Sequence, residues 1–176
     1  MSDFRGARTG ESIERRLGRL EDIEAIRNLK ERYAYFCDQN FDADGIASLF
    51  AEDAKFESNG LGNHYGREAI RAFMRTASTE IVWAQHYMIA PTIDVAEDGL
   101  TATGTWYLLD LVSMVGAGGP SQPEAVVIMA NYRDEYVKLD GGWLFKSVLA
   151  DIKRVSNLDQ GWATQPLRGA FTIGAQ

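Results

Sequence analysis

Four consecutive runs in the second half of the chain, Ile81–Val95, Leu100–Val115, Glu124–Leu139 and Trp143–Val155, are rich in β-branched and aromatic residues. Each is more than twice the usual strand length of ~5–6 residues. Glu97-Asp98-Gly99 and Asp140-Gly141-Gly142 stand between neighbouring runs as tight turns, and the loop-rich Gly116–Pro123 stretch, GAGGPSQP, reads as the remaining connection between strands. Long strands joined this way form an antiparallel meander, and a sheet of that length must twist and curl.

The first half has a different period. From Ile13 to about Gln39, apolar residues recur every three or four positions (Leu17, Leu20, Ile23, Ile26, Leu29, Tyr33, Phe36), which predicts a helix. Asp42 and Ser48 bracket a short second helix, and Asn59-Gly60 marks a hairpin of two short strands within Ala54–Tyr65. Arg67–Ala77 predicts a third helix, with Ala69, Ile70, Phe73 and Met74 on one face. Helices first and a meander afterwards define an α+β fold: a cone-shaped, curved antiparallel β-sheet packed against N-terminal helices. The interior of such a cone is a ligand-sized space.

With 176 residues, the chain is expected to be one domain over residues 13–155, after a flexible lead-in (1–12) and before a C-terminal tail (156–176). The 25 acidic and 18 basic side chains give a net charge of −7, which repels phosphate backbones and argues against nucleic-acid binding. The polar first twenty residues lack the apolar core of a signal peptide, and no stretch approaches the ~20 apolar residues of a membrane span; the cytoplasm is the default expectation. Cys37, the single cysteine, allows no internal disulfide, and a facial metal triad would consume both histidines, His64 and His86.

Strand alternation sorts the side chains by face. His86 shares a face with Val82, Ala84 and Met88, and Asp110 shares one with Trp106, Leu108, Val112 and Met114. Pairing through the Glu97-Asp98-Gly99 turn places residues whose numbers sum to about 196 opposite each other, and His86 and Asp110 satisfy that sum. A carboxylate on an apolar face needs a partner, and beside an imidazole it fixes the tautomer and supports proton transfer. A satisfied core pair and a proton-carrying dyad both fit this spacing. Tyr33 continues the apolar stripe of the first helix, with a hydroxyl needing a partner. Asp38, five residues on and ~140° round the helix, fits either a helix-end cap or a pocket mouth. His64 follows a turn and reads as a surface residue.

Several segments, LEDIEAIRNLKERYAYFCD, LFAEDAKFESNG, YGREAIRAFM, TATGTWYLLD and YVKLDGGWLF, together resemble the SnoaL-like family of the nuclear transport factor 2-like superfamily, over about Leu20 to Val155. Within it they are similar to the bile-acid 7α-dehydratases. These are lyases whose catalytic set is a tyrosine and an aspartate five apart on the first helix, a histidine on the first long strand, and an aspartate closing a W-Y-L-x-D stretch. The resemblance implies that Tyr33 and Asp38 in RYAYFCD, His86 in AQHYMIAPTI and Asp110 in WYLLD form the catalytic set, with no metal and no cofactor. His86, oriented by Asp110, would carry the proton. Tyr33 would hydrogen-bond the oxyanion or the leaving hydroxyl, and Asp38 would assist from the opposite side of the ligand.

Phe36, Val82, Met88, Trp106 and Val112 are the expected substrate-binding wall, suited to a hydrophobic, steroid- or polyketide-like hydroxylated molecule. Were that molecule a coenzyme A thioester, Lys153 and Arg154 are candidate anion contacts at the rim. The same scaffold also suits an isomerase or cyclase, the non-catalytic small subunit of an aromatic-ring dioxygenase, or an apolar ligand-binding protein. Trp83, Tyr87, Tyr107, Leu109 and Leu111 on the outer sheet face point to a homodimer or homotrimer.

Overall fold

The computed structural model describes residues 11–116 and 118–169, so the first part of the 1–12 lead-in and the end of the tail lie outside the described residues. The first helix, α1 (Ile13–Asp38), starts where the Ser12 side chain accepts a bond from the Arg15 backbone N–H. Its apolar stripe is buried only from Ile26 onward (Ile26, Leu29, Tyr33, Cys37), and Ile13, Leu17 and Leu20 are exposed. After α1, Asn40 and Phe41 take consecutive left-handed conformations (φ 54° and 52°) that turn the chain into α2 (Ala43–Ser48). The Asp42 side chain caps α2 by accepting from the Gly45 backbone N–H.

The hairpin expected around Asn59-Gly60 is β1 (Phe50–Ser58) and β2 (Gly62–Tyr65). It is followed by α3 (Arg67–Glu80), which buries Ile70, Phe73, Met74 and Ala77. The meander follows as β3 (Ile81–Val95), β4 (Thr101–Gly116), β5 (Gly119–Leu139) and β6 (Gly142–Asn157), with a short α4 (Gly161–Thr164) beyond it. The six strands form one sheet in the order β2-β1-β6-β5-β4-β3. α1 packs against β3 and β6, and α3 packs against β1, β2 and β3. Among the described residues, no helix is long and apolar enough to cross a membrane.

Three expectations need correction. The sheet is mixed, because β1 pairs with β6 in parallel; that contact joins distant segments and leaves no turn signal in the sequence. The Gly116–Pro123 stretch is not a free connection: Gly116 pairs with Gly119 and Val115 with Pro123, so it forms a hairpin tip with a bulged arm. Such a bulge accommodates Gly and Pro. Beyond β6, the tail returns against the sheet. Leu167 bridges Val155, the Ser156 hydroxyl donates to the Gln165 carbonyl at 2.5 Å, and Arg168 Nη2 reaches Glu124 Oε2 at 2.6 Å.

Candidate active site

His86 and Asp110 are directly opposed in the β3–β4 ladder, as expected. Next to the turn the paired numbers sum to 197 (Val95 with Ala102, Thr92 with Thr105), and a bulge at Ala90–Pro91 (Ala90 φ 50°) shifts the register by one residue to the sum of 196 that opposes them. A second bulge, between Ile81 and Trp83, reverses the faces at the strand's start. Ile81 therefore points inward, 3% exposed, and Val82 points outward, 49% exposed.

β3 is the last strand of the sheet, and the C-terminal end of α1 closes on it. Asp38, the final residue of α1, accepts three N–H groups there. Its Oδ1 takes the His86 backbone N–H at 2.9 Å and His86 Nδ1 at 2.8 Å, and its Oδ2 takes Gln85 Nε2 at 3.0 Å. The other imidazole nitrogen, Nε2, faces Asp110 Oδ2 at 3.3 Å. The side chains of His86 and Asp110 are 6% and 4% exposed. The edge of Phe41 meets the His86 ring (centroids 5.8 Å apart, 74° between planes), and Phe41 reaches it from a left-handed backbone (φ 52°).

The two carboxylates flank the imidazole on opposite nitrogens, Asp38 at Nδ1 and Asp110 at Nε2. Burial pushes the Asp110 carboxyl up to about 6 and the charge of Asp38 adds to the rise, while His86 and the Gln85 backbone oppose it. Oδ1 of Asp110 has no hydrogen-bond partner. The raised carboxyl of Asp110 therefore stands against the imidazole Nε2 of His86.

The pair opens on a largely apolar cavity. Phe41, Phe56, Leu61, Phe73, Met74 and Ala77 line one side of it, and Ile81, Leu108, Ile128 and Ile152 line the sheet side. Tyr33, Tyr132, His86 and Asp110 supply its polar groups, and neither Lys nor Arg is among the described residues lining it. Tyr33 is buried beside Tyr132 and Cys37; burial above all, with those two neighbours adding to it, raises its phenol well above the ordinary tyrosine range.

Three of the four expected catalytic residues, Tyr33, His86 and Asp110, line the cavity, and Asp38 stands directly behind His86. The expected substrate wall is a different set from the one found, since Phe36, Val82, Met88, Trp106 and Val112 are all outside the lining. Phe36 and Met88 pack against the core from its margin, Val112 is inside the core, and Trp106 donates its Nε1–H to the Tyr136 hydroxyl at 3.0 Å. Lys153 is on the exposed side of β6 and pairs with Asp151 at 2.5 Å, and Arg154 is exposed beside it. His64 is not a simple surface residue. Its ring stacks on Phe73 (4.1 Å, 16°), and Nε2 is 2.9 Å from the Leu61 carbonyl, behind the cavity wall.

Sequence reasoning missed a second polar cluster beneath the site. Lys30 Nζ is 2.8 Å from Asp134 Oδ2, with both side chains fully buried. The same Asp134 oxygen accepts from the Tyr136 hydroxyl at 2.9 Å. The signals were present: Lys30 falls in the α1 stripe between Ile26 and Tyr33, and Asp134 shares the inward face of β5 with Tyr132 and Tyr136. Among the described residues, no group of three or more His, Cys, Asp or Glu side chains could hold a metal ion.

Helices closing a curved sheet over an apolar cavity are the nuclear transport factor 2-like fold. The SnoaL-like domain model matches residues 18–148, and the chain belongs to that family. Among solved structures, a Novosphingobium aromaticivorans protein assigned as an aromatic ring hydroxylase is 28% identical, with a TM-score of 0.69 over 78% of this chain and 94% of that one. A protein of the same organism assigned as a scytalone dehydratase is 21% identical, with a TM-score of 0.71 over 90% and 97%. The hexachlorocyclohexane dehydrochlorinase LinA-type3 from Novosphingobium barchaimii is 22% identical, with a TM-score of 0.70 over 81% and 93%. The last two likenesses concern the fold.

Proposed function

We propose that the protein is a cofactor-independent hydro-lyase that removes water from a hydrophobic, polycyclic or polyketide-like β-hydroxy carbonyl compound. The observation that carries this reading is the Asp38–His86–Asp110 line at the wall of an apolar cavity. Asp38 fixes Nδ1–H, so Nε2 of His86 can take the proton from the carbon next to the substrate carbonyl. The electron pair moves onto the carbonyl oxygen, where a tyrosine hydroxyl meets it. When the pair returns to form the C=C bond, the C–O bond breaks. The hydroxide collects the proton of the Asp110 carboxyl and leaves as water, and the proton on His86 Nε2 passes to Asp110. The enzyme ends in its starting protonation state.

No Lys or Arg is among the described lining residues, so no cation there neutralises a departing anion. A departing hydroxide needs a proton, and a buried carboxyl pushed up to about 6 supplies one near neutral pH. The same lining requires that any carboxylate or coenzyme group of the substrate stay outside the cavity, because an unpaired buried anion is costly. The scytalone dehydratase and dehydrochlorinase assignments of structural neighbours agree with elimination chemistry.

The test is dehydration of hydroxylated 3-oxo-Δ4 steroids and polyketide-like β-hydroxy ketones, free and as thioesters, with His86→Ala and Asp110→Asn beside the parent. Loss of one water from the product separates dehydration from isomerisation or cyclisation on the same site. A folded parent inactive on the whole set sinks the substrate reading, and full activity of His86→Ala on a substrate that is turned over sinks the mechanism. A second reading has the 28% identical aromatic ring hydroxylase relative in its favour: a non-catalytic subunit holding an iron-bearing large subunit. Stoichiometric co-purification with such a subunit, together with unchanged activity of the complex carrying His86→Ala, would establish it instead.

A further inference from the structure

We propose that Tyr132 is a further catalytic residue of this site, the phenol that holds the substrate's enolate oxygen together with Tyr33, and that the buried Lys30–Asp134 ion pair is its positioning device. The proposal rests on the elimination reading above. Tyr132 is on β5 across from Trp106 and is buried except for the part that lines the cavity. It stands beside Tyr33, so two phenols share one end of a space whose other polar groups are His86 and Asp110. Burial, first among the causes, raises both phenols above their ordinary range. Each therefore acts as a hydrogen-bond donor and not as a base. Two fixed donors facing a developing oxyanion are what enolate formation in an apolar cavity requires.

Beneath Tyr132, the Lys30 ammonium is 3.8 Å from the centre of its ring and 2.8 Å from Asp134 Oδ2. Asp134 is braced by the Tyr136 hydroxyl at 2.9 Å, which in turn accepts from Trp106 Nε1 at 3.0 Å. A cation over a ring face holds that face in place and draws electron density from the phenol, which sharpens its O–H as a donor. Stability alone gives no reason for this construction. A fully buried ion pair is at best about as stabilising as the apolar residues that could replace it, and Asp134 Oδ1 is left without a partner. The pair is accounted for by what it holds, the ring of a tyrosine that lines the cavity.

The experiment uses 2-naphthol, a planar phenol whose bound anion mimics a dienolate, followed by its own absorbance and fluorescence in the full-length protein. Tyr132→Phe and Tyr33→Phe should each weaken binding of the naphtholate form about tenfold or more. They should also lower kcat on any dehydrated substrate ~10–100-fold, with KM nearly unchanged. Lys30→Met alone leaves a buried carboxylate and is expected to fold poorly, so the positioning variant is Lys30→Met combined with Asp134→Leu, which leaves no buried charge. That double variant should fold, bind naphtholate several-fold more weakly, and shift the pH at which the bound naphthol ionises upward. Naphthol binding and turnover of Tyr132→Phe equal to wild type, or no binding by wild type, overturns the assignment of Tyr132. A folded double variant with wild-type binding and pH profile overturns the role of the ion pair. Tyr132-dependent naphtholate binding in a protein that dehydrates nothing supports the oxyanion site and counts against the hydro-lyase reading alone.

Discussion

Asp110→Asn should make the protein more stable while it destroys activity. In the native state, burial lifts the Asp110 carboxyl from the reference 3.8 to about 6. The unfolded chain releases that proton near the reference value, so between about pH 4 and pH 6 the native state holds more protons than the unfolded one. Unfolding free energy therefore falls as pH rises through this window. The stability associated with the protonated form is complete below about pH 4 and lost once pH passes about 6. At ~1.36 kcal/mol per pKa unit, roughly two units correspond to about 3 kcal/mol of strain carried by the ionised wild type at pH 8. Asparagine cannot ionise, has nearly the same shape, and can donate an N–H to His86 Nε2. The variant should thus match wild type near pH 4 and exceed it by about 3 kcal/mol at pH 8. For a chain of this length that is a rise of roughly 6–12 °C in Tm. Urea or thermal unfolding of both proteins across pH 4–8 gives the difference curve, and activity should fall ~10²–10⁴-fold. A variant-minus-wild-type difference that stays flat across this range would refute the raised carboxyl and its role as proton donor.

Lys30→Met alone should cost about 3–5 kcal/mol in denaturant unfolding, because it leaves Asp134 charged and unpaired in the core; adding Asp134→Leu should recover most of that loss. Gly104→Ala should destabilise by about 1–3 kcal/mol, since a Cβ there would stand 2.9 Å from Tyr136 Cε2 and 3.0 Å from its hydroxyl oxygen. Trp83, Tyr87, Ile89, Tyr107 and Leu111 are exposed on the outer face of β3 and β4, so the protein should elute as a dimer or trimer in size-exclusion chromatography. Trp83→Glu combined with Tyr107→Glu should elute as a monomer.

How far the site is legible in the sequence depends on how local each contact is. The opposition of His86 and Asp110 was legible as an approximate sum about one tight turn, but the turn alone sets a sum of 197, and it is the Ala90–Pro91 bulge between the turn and the site that brings the two residues opposite each other. The same count fails for Val82, where one extra residue exchanges inside and outside. The wall of the cavity was illegible for a related reason. It comes from Phe41 on a left-handed turn, from the buried face of α3 and from five strands, β1, β6, β5, β4 and β3, and their meeting depends on how the sheet curls. The parallel β1–β6 pairing is equally non-local. Asp134 was readable, because the alternation that isolates Asp110 on β4 isolates it between Tyr132 and Tyr136 on β5.

The division of labour between Asp38 and Asp110 rests on their surroundings alone, since both are aspartates touching one imidazole. Asp38 has three N–H donors on its two oxygens, whereas Asp110 has one imidazole contact and an orphan oxygen in an apolar wall. Environments that differ in this way assign different tasks to like groups, and isosteric amides expose the difference. Asparagine at 110 removes a buried charge that nothing fully compensates. Asparagine at 38 keeps one carbonyl oxygen for the His86 backbone and Nδ1 but turns its own NH₂ toward Gln85 Nε2, donor against donor. Asp38→Asn should therefore destabilise the fold by about 1.5–3 kcal/mol, the range for hydrogen bonds to a charged acceptor, at pH 8, where Asp110→Asn stabilises it. Both should lose activity. Paired unfolding curves at that pH decide the matter: stability changes of the same sign for the two variants would mean that the carboxylates are interchangeable, and the assignment of Asp38 as orienting group and Asp110 as proton partner would fall.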